Sequence, residues 1–239
     1  MRALAIVHQR DAGPGVFAEE ARARGVELDQ WHRAETERPP DGPAAYDAVL
    51  SFGGAMHVDQ ERSHPWVTEE QRLLADLIEQ GVPLLGVCLG AQLLSAAAGG
   101  DPGRSAEPEI GWFEVGVTDE GAADPVIGPL APRFEAFEWH SYEAGPPAAA
   151  AVLAESESCV QAYRLGTAAW GIQFHAEVSA ADAEKWIGEY RNDEDAVRIG
   201  VDPRALRAET SERIEAWNGL GRELCGRFLE AAARYSGVT

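Results

Sequence analysis

A single cysteine stands where residues 83–100 change from a short apolar run to a run rich in alanine and leucine. The first run ends at Val87 and is typical of a buried strand, while the second is typical of a helix that ends at Gly99 and Gly100. Cys88 therefore lies at a sharp turn where a strand leads directly into a helix. No other feature of the chain limits its fold as narrowly.

Glycines lie two residues before and two residues after this cysteine, at Gly86 and Gly90. Such a turn brings neighbouring backbone so close that larger side chains would clash. This is the nucleophile-elbow pattern with cysteine in place of serine, and the partial positive charge of the helix N-terminus stabilises a thiolate there. The pattern is short, and a small buried core residue is the alternative interpretation of Cys88.

A second stretch, 170–178, supplies the partners that a nucleophilic cysteine needs. Its apolar start predicts a strand, and because side chains alternate along a strand, His175 and Glu177 are expected on one face. A histidine oriented by a carboxylate is the base that activates such a nucleophile. His140 is the competing candidate, and we favour His175 because it has a carboxylate two residues further along the same strand.

With these motifs, the chain resembles the class I, triad-type glutamine amidotransferases, in particular the stand-alone members similar to the glutaminase domain of GMP synthase. The resemblance rests on motifs that follow the family's order, at residues 52–54, 86–92, 109–112 and 174–178. It extends from about the first strand to just past Glu177. Several motifs in one order are far more specific than any one of them.

The expected fold is an α/β sandwich. An opening strand, helix and strand within residues 3–29 predict parallel pairing, while short strand-like runs in 101–137 predict an antiparallel part of the sheet. The resemblance implies a flavodoxin-like three-layer sandwich with a central mixed, mostly parallel sheet. We expect residues 1–190 to form the amidotransferase domain and residues 191–239 to form a helical extension packed on it.

Within that extension, one long helix is predicted over residues 203–235. Its apolar residues recur at three- and four-residue spacing: Ile214, Trp217, Leu220, Leu224 and Phe228. Packing on the parent domain is the commonest meaning of such a stripe. A surface for a partner subunit or a homodimer is the alternative.

The resemblance also implies a role for individual residues. Cys88, His175 and Glu177 correspond to the catalytic triad, and the backbone N–H groups of Gly54 and Leu89 correspond to the oxyanion hole. The substrate-binding positions of the family correspond to Gly53, Gln92, Ser141 and Tyr142. No metal and no organic cofactor is implied.

The implied activity is hydrolysis of the γ-amide of glutamine to glutamate and ammonia through a glutamyl thioester. The substrate would be glutamine or another γ-glutamyl compound, and a synthetase subunit would accept the ammonia, as in most of the family. A hydrolase of other γ-glutamyl amides or peptides is the first alternative. A redox-sensing or non-catalytic DJ-1-like protein is the second, although such proteins do not typically carry a His-x-Glu strand like that at 175–177.

Composition and charge limit which molecules the protein is expected to bind and where in the cell it is expected to occur. The chain has 239 residues with 20 basic and 40 acidic side chains, and its net charge of −20 would repel nucleic acid and anionic membrane surfaces. It has no membrane-spanning apolar run and no signal-peptide pattern, and its three scattered cysteines make no disulfide framework, so we expect a cytoplasmic protein. The acid excess, with Lys185 as the only lysine, motivates a hypothesis of adaptation to high salt.

Several other residues carry separate expectations. His8 is interpreted as a solvated loop histidine, and a position at the carboxyl end of its strand, where α/β sheets bind ligands, is the alternative. Thr68 is interpreted as the cap of a helix. Cys159 has no histidine or acid neighbour of its own and is interpreted as structural, while the polar segment 35–43 is expected to be a connection. Three potential metal ligands in the loop before the Thr68 helix have a spacing that fits no known ligand set: His57, Asp59 and His64.

Overall fold

A single mixed sheet of nine strands forms the centre of the molecule, within the residues that the computed structural model describes: 1–33, 39 and 41–235. In chain order, its strands are β1 (Arg2–Val7), β2 (Glu27–His32), β3 (Ala48–Ser51), β4 (Leu84–Val87), β5 (Gly103–Val117), β6 (Arg133–Glu143), β7 (Ala151–Glu155), β8 (Val160–Leu165) and β9 (Ala169–Ile172). Most of the predicted connection at 35–43 lies outside the described residues.

The sheet has a parallel half and an antiparallel half. Its strand order is β2-β1-β3-β4-β9-β8-β7-β5-β6, and the strands from β2 to β9 are parallel to one another. The remaining pairs, from β9 to β6, are antiparallel. The prediction of a mixed sheet is confirmed, and the region 101–137 lies in its antiparallel half.

Helices cover both faces of the sheet. They are α1 (Gly15–Ala23), α2 (Trp66–Glu79), α3 (Leu89–Ala97), α4 (Asp119–Ala123), α5 (Ala180–Gly188), α6 (Glu194–Arg198) and α7 (Pro203–Tyr235). Alternate residues of β1 show the two sides, because Ala3, Ala5 and Val7 pack in one core with α1 and α7, whereas Leu4 and Ile6 pack in another with α2 and α3. The fold is the flavodoxin-like three-layer sandwich that the resemblance implied.

The central parallel strands are buried from end to end. Every residue of β3, β4 and β9 is buried, which explains why these strands occur in the sequence as short continuous apolar runs rather than as alternating patterns. Because the three strands are parallel, their carboxyl ends meet at one edge of the sheet. Open α/β sheets bind their ligands at this edge.

The long C-terminal helix is confirmed with the predicted bounds. α7 packs against α1 and α5, and Trp217, Leu224 and Phe228 of the predicted stripe are buried. Its apolar stripe therefore belongs to the core of the sandwich. Among the described residues, no helix combines the length and the apolar character needed to cross a lipid bilayer.

Two helix starts show how capping is decided. Ser179 caps α5 and forms a capping box with Asp182. The predicted cap at Thr68 is wrong, because α2 begins at Trp66, directly after Pro65. The fixed φ of proline suits the first turn of a helix, so the chain becomes helical before it reaches the threonine.

Candidate active site

The backbone at Cys88 has the geometry of a nucleophile elbow. Cys88 follows the last residue of β4 and has a φ of 51° and a ψ of −110°. Residues other than glycine rarely adopt a positive φ of this kind. Its N–H donates to the carbonyl oxygen of Ile172 at 2.8 Å, which ties the turn to β9. Leu89 is the first residue of α3, so its N–H has no acceptor inside the helix.

Two glycines make this turn possible. A Cβ atom on Gly86 would lie 2.6 Å from the carbonyl oxygen of Gly90, and a Cβ atom on Gly90 would overlap the carbonyl group of Ser51. No rotamer change can relieve either contact, because the opposing atoms belong to the backbone. The predicted need for glycine on both sides of Cys88 is confirmed.

His175 and Glu177 lie beyond a strand rather than on it. β9 ends at Ile172 and the chain bends over the following residues, so the predicted strand alternation is wrong. The bend arises because the N–H of His175 donates to the carbonyl oxygen of Phe137 in β6, at 2.9 Å, instead of extending the ladder with β4. The two side chains still meet, with Nδ1 of His175 2.8 Å from Oε1 of Glu177.

The surroundings of His175 favour its protonated form. Burial lowers the pKa of the imidazole, but Glu177 and Cys88 outweigh burial and hold that pKa well above its ordinary value of 6.5. Because Nδ1 is engaged by Glu177, Nε2 is the ring nitrogen that could act as an acid or a base. This arrangement can support a thiolate and imidazolium pair oriented by a carboxylate.

The bend that carries His175 is held in place by α7. Nε1 of Trp217 donates to the carbonyl oxygen of His175 at 2.9 Å, and Nδ2 of Asn218 donates to that of Val178 at 2.7 Å. The first turn of α1 adds a backbone N–H to the carbonyl oxygen of Glu177 at 2.8 Å. The last helix, which the sequence motifs leave without a role in the site, therefore positions the histidine.

The candidate residues surround a cavity of about 690 Å³. Seven of the nine sequence-predicted site residues line it: Gly54, Cys88, Leu89, Gln92, Ser141, Tyr142 and His175. The other two predicted residues, Glu177 and Gly53, lie behind this lining. Glu177 contacts His175. Gly53 lies so close to His175 and Cys88 that a Cβ atom on it would be 3.1 Å from Cε1 of His175 and 3.6 Å from Cβ of Cys88.

Two of the predicted substrate-binding residues, Gln92 and Tyr142, are linked by a hydrogen bond. Nε2 of Gln92 donates to the carbonyl oxygen of Tyr142 at 3.0 Å, so this glutamine holds the backbone of β6 beside the cavity. The ring of Tyr142 stacks on His57 with centroids 4.1 Å apart, and its hydroxyl donates to Asp59 at 3.2 Å. His57 and Asp59 thus pack around Tyr142.

A buried histidine supports the paired glycines. Nδ1 of His8 lies 2.9 Å from the carbonyl oxygen of Phe52, and Nε2 lies 3.0 Å from both carboxylate oxygens of Glu70. The interpretation of His8 as a solvated loop residue is wrong, because its side chain is fully buried at the carboxyl end of β1. Burial lowers the pKa of His8, but Glu70 outweighs burial and raises it. The ring is thus held between Glu70 and the carbonyl oxygen that precedes Gly53 and Gly54.

Sequence reasoning missed a polar cluster behind the cavity. Nε2 of His140 lies 3.2 Å from Oε2 of Glu109 and 3.3 Å from Oε2 of Glu138. Sγ of Cys159 lies 3.7 Å from the same oxygen of Glu109. The statement that Cys159 has no acid neighbour of its own is therefore wrong, since the pairing of β5, β7 and β8 brings together residues far apart in the sequence. The motif at 109–112 was the available signal.

The rim of the cavity was missed as well. Arg104 of β5 and Arg198 of α6 both donate to Oδ1 of Asp195, at 2.6 Å and at 2.9–3.0 Å. Asp193 accepts from Nε1 of Trp139 at 2.9 Å and caps α6 with its other oxygen. Only the polarity of residues 189–198 signalled this rim in the sequence.

Fold and site together define an α/β protein with a cysteine nucleophile elbow and a facing pair of histidine and carboxylate. Residues 16–188 match the model of the family Glutamine amidotransferase class-I. The chain belongs to this family, whose members act on amide bonds as hydrolases or transferases.

Known relatives include proteins of different activity. A glutamine amidotransferase-like protein of Salmonella typhimurium, YfeJ, is 28% identical over 96% of both chains. A glutamine-hydrolyzing GMP synthase subunit from Sulfurisphaera tokodaii is 32% identical over 65% of this chain and 79% of its own. The gamma-glutamyl-L-1-hydroxyisopropylamide hydrolase of a Pseudomonas species is 31% identical over 66% of this chain and 58% of its own.

Solved structures agree with the fold. A glutamine amidotransferase from Thermotoga maritima superposes with a TM-score of 0.83 and 28% identity, covering 96% of this chain and 98% of that one. The correspondence therefore includes the region of α7, beyond the residues that the family model matches.

Proposed function

We propose that the chain hydrolyses the γ-amide of glutamine to glutamate and ammonia through a glutamyl thioester on Cys88. One observation carries the proposal: Cys88, in a strained elbow, opens onto the same cavity as a His175 that is oriented by Glu177 at 2.8 Å. A buried cysteine, a histidine that lines the same cavity and a carboxylate bound to that histidine are the three groups that nucleophilic catalysis of this kind needs.

The chemistry follows from the charges of these groups. The thiolate of Cys88 attacks the γ-carbonyl carbon, a C–S bond forms, and the carbonyl electron pair moves to oxygen. In this proposal the N–H groups of Leu89 and Gly54 receive the oxyanion, which is supported by the presence of both residues in the lining of the cavity that contains Cys88. His175 gives its proton to the amide nitrogen as the C–N bond breaks and ammonia leaves. It then takes a proton from water, whose oxygen attacks the thioester carbon, and the C–S bond breaks to release glutamate and the thiolate of Cys88.

Two features of the cavity support an amino-acid head group as ligand. Ser141 and Tyr142 of β6 line the cavity, and Gln92 holds the carbonyl oxygen of Tyr142. A partner synthetase that accepts the ammonia is part of this proposal, in line with the relationship to the GMP synthase subunit of Sulfurisphaera tokodaii.

A hydrolase of larger γ-glutamyl amides is the second candidate. A cavity of about 690 Å³ lies within the range of sites for ligands of about drug size, and it extends from Cys88 to the rim at Asp195. This leaves room beyond the scissile amide for a leaving group larger than ammonia. The relationship to the Pseudomonas γ-glutamyl amide hydrolase favours the same candidate.

Covalent labelling with a diazo-ketone analogue of glutamine tests both candidates. We expect one adduct by intact mass spectrometry, which is absent in Cys88→Ala and prevented by excess glutamine. The matched control is Cys225→Ala, which should label like the wild type because Cys225 is buried away from the cavity.

The outcomes separate the candidates. Protection by glutamine together with release of ammonia from glutamine supports the first. An adduct that glutamine fails to prevent, with faster turnover of γ-glutamyl alkylamides than of glutamine, supports the second. Oxidation of Cys88 at low peroxide without amidase activity on any γ-glutamyl compound would replace both with a redox-sensing function.

A further inference from the structure

Glu70 places a carboxylate on the apolar face of α2, where it is fully buried. Its neighbours on this face are buried hydrophobic residues: Val67, Leu73, Leu74 and Leu77. A buried carboxylate costs stability, and a hydrophobic side chain of similar volume would cost less there. Packing alone therefore does not explain a glutamate at this position.

The carboxylate of Glu70 joins two strand ends at the carboxyl edge of the sheet. Its Oε1 accepts from Oγ of Ser51, the last residue of β3, at 2.8 Å. Both of its oxygens lie 3.0 Å from Nε2 of His8, the residue directly after β1. The ring of Trp66 stacks on that of His8, with centroids 4.9 Å apart. Together these contacts fix the orientation of the imidazole ring.

The other ring nitrogen of His8 contacts the loop that carries the paired glycines. Nδ1 lies 2.9 Å from the carbonyl oxygen of Phe52, and because a carbonyl oxygen only accepts, Nδ1 is the donor. The same oxygen accepts from the N–H of Gly90, in the first turn of α3, at 3.1 Å. One carbonyl group therefore joins His8, the segment that leads to Gly53 and Gly54, and the start of α3.

Close packing leaves these two segments little freedom to move. A Cβ atom on Gly54 would lie 3.1 Å from Cβ of His8, and a Cβ atom on Gly90 would overlap the carbonyl group of Ser51. The two proposed oxyanion donors, Gly54 and Leu89, belong to these segments. Their separation therefore depends on the contacts of His8.

A second acid–base site is the competing explanation for a buried histidine beside a carboxylate. Such a site needs a ring nitrogen that substrate or water can reach. The side chains of His8 and Glu70 have no exposed surface, and neither residue is among the described residues that line the cavity. Both ring nitrogens of His8 are already engaged. The pair can therefore act on a reaction in the cavity only through the backbone that it holds.

We propose that His8 and Glu70 are positioning residues for oxyanion stabilisation. By holding the carbonyl oxygen of Phe52, they fix the distance between the two N–H groups that receive the oxyanion. Neither side chain touches the substrate or exchanges a proton with it. This role rests on the proposed function, and it extends that function to residues outside the cavity.

A double variant, His8→Leu with Glu70→Gln, removes the donor to Phe52 without leaving an unpaired buried charge. We expect kcat for ammonia release from glutamine to fall at least about tenfold with little change in KM, because oxyanion donors act in the transition state. The rate of Cys88 alkylation by iodoacetamide should stay close to that of the wild type, since this displacement forms no oxyanion. Intact mass spectrometry measures the rate, with Cys88→Ala as the background.

Two further variants separate positioning from folding. His8→Asn places an amide nitrogen close to the position of Nδ1, so it can still donate to Phe52 and should recover part of the lost turnover. Glu69→Gln is the matched control, because Glu69 is the preceding residue on α2 and is exposed. Its kcat, alkylation rate and melting temperature should match those of the wild type.

Hydrogen exchange of the Gly90 N–H, followed by NMR, tests the structural step by itself. This N–H donates to Phe52, so we expect it to exchange several-fold faster in the double variant. The N–H of Leu84, which begins β4 and donates to Ala168 at 2.8 Å, is the internal reference. Its exchange should be the same in both proteins.

Three results would overturn the inference: wild-type kcat in the folded double variant, alkylation that slows by the same factor as kcat, or unchanged exchange of the Gly90 N–H. A purely structural role would lower the melting temperature without a selective loss of kcat. The proposed function fails separately. If the wild type hydrolyses no γ-glutamyl compound while the Gly90 N–H exchanges faster in the double variant, the positioning of this backbone stands and the hydrolase proposal does not.

Discussion

At the scale of single residues, the strained backbone of Cys88 is the feature on which the proposed chemistry depends. A residue held with φ near 51° costs about 1–3 kcal/mol, and the surrounding backbone must supply that energy. The N–H of Cys88 is fixed by Ile172, and the N–H of Gly90 is fixed by Phe52, whose carbonyl oxygen also faces His8. The elbow and the candidate oxyanion donors are thus held by one set of backbone contacts.

Removing the charge of Glu177 tests the orienting contact. We expect Glu177→Gln to lower kcat by about 10²-fold or more with little change in KM, because the amide neither stabilises the imidazolium nor fixes its ring. Steady-state release of ammonia measures this, with Glu155→Gln on the exposed end of β7 as the control. A loss of less than about threefold would remove Glu177 from the triad.

At the scale of elements, the last helix completes the site. α7 approaches the bend after β9 so closely that a Cβ atom on Gly221 would overlap the carbonyl group of Ala176. From the same helix, Trp217 holds the carbonyl oxygen of His175. The position of His175 is therefore set by helix packing as well as by the sheet.

Two glycines of α7 offer a matched test. Gly221→Ala should push the helix away from the bend, lower the melting temperature and reduce turnover by at least about tenfold, because His175 loses its position. Gly219→Ala places its Cβ atom in open space and should raise stability by up to about 1 kcal/mol. Thermal melts and ammonia release measure both. Equal melting temperatures and equal turnover in the two variants would contradict the conclusion that α7 positions His175.

At the scale of the whole molecule, the net charge of −20 is the dominant feature. The surface carries isolated ion pairs, such as Lys185 with Asp11 at 2.8 Å, but too few cations to neutralise 40 acidic residues. Self-repulsion of this kind destabilises the compact state, and salt screens it.

Melting in salt tests the hypothesis of high-salt adaptation. We expect the melting temperature to rise between about 10 mM and about 1 M NaCl, where the Debye length falls from about 30 Å to about 3 Å. Sucrose at the same osmolality is the control for effects unrelated to charge. A melting temperature that is flat or falling with salt would show that the acidic surface is merely well solvated.

Stability should also fall at alkaline pH. His140 has a folded-state pKa of about 10, above its ordinary value of 6.5, so it stabilises the fold fully below about pH 6.5 and loses this contribution as pH rises through about 10. The raised pKa values of His8 and His175 act in the same direction. Melting temperatures measured between pH 7 and pH 10 should therefore decline, and less steeply in His140→Gln. A decline of equal slope in that variant would contradict the assignment.

Local sequence determined the elements and the elbow of this protein. Apolar runs without alternation identified the buried parallel strands. The glycines around Cys88 identified the turn, because the steric clashes that require them involve only a few neighbouring residues. The stripe of α7 similarly determined its helix, since helical periodicity is a local property.

Only the tertiary structure decided which polar groups share an environment. His8 is buried because α2 brings Glu70 to it, Cys159 meets Glu109 through strand pairing, and His175 leaves its strand to bond Phe137. Each partner lies tens of residues away in the chain, so no local pattern contains the contact. Burial and long-range pairing set the ionisation of these groups, and both arise only when the sheet and its two helical layers close around them.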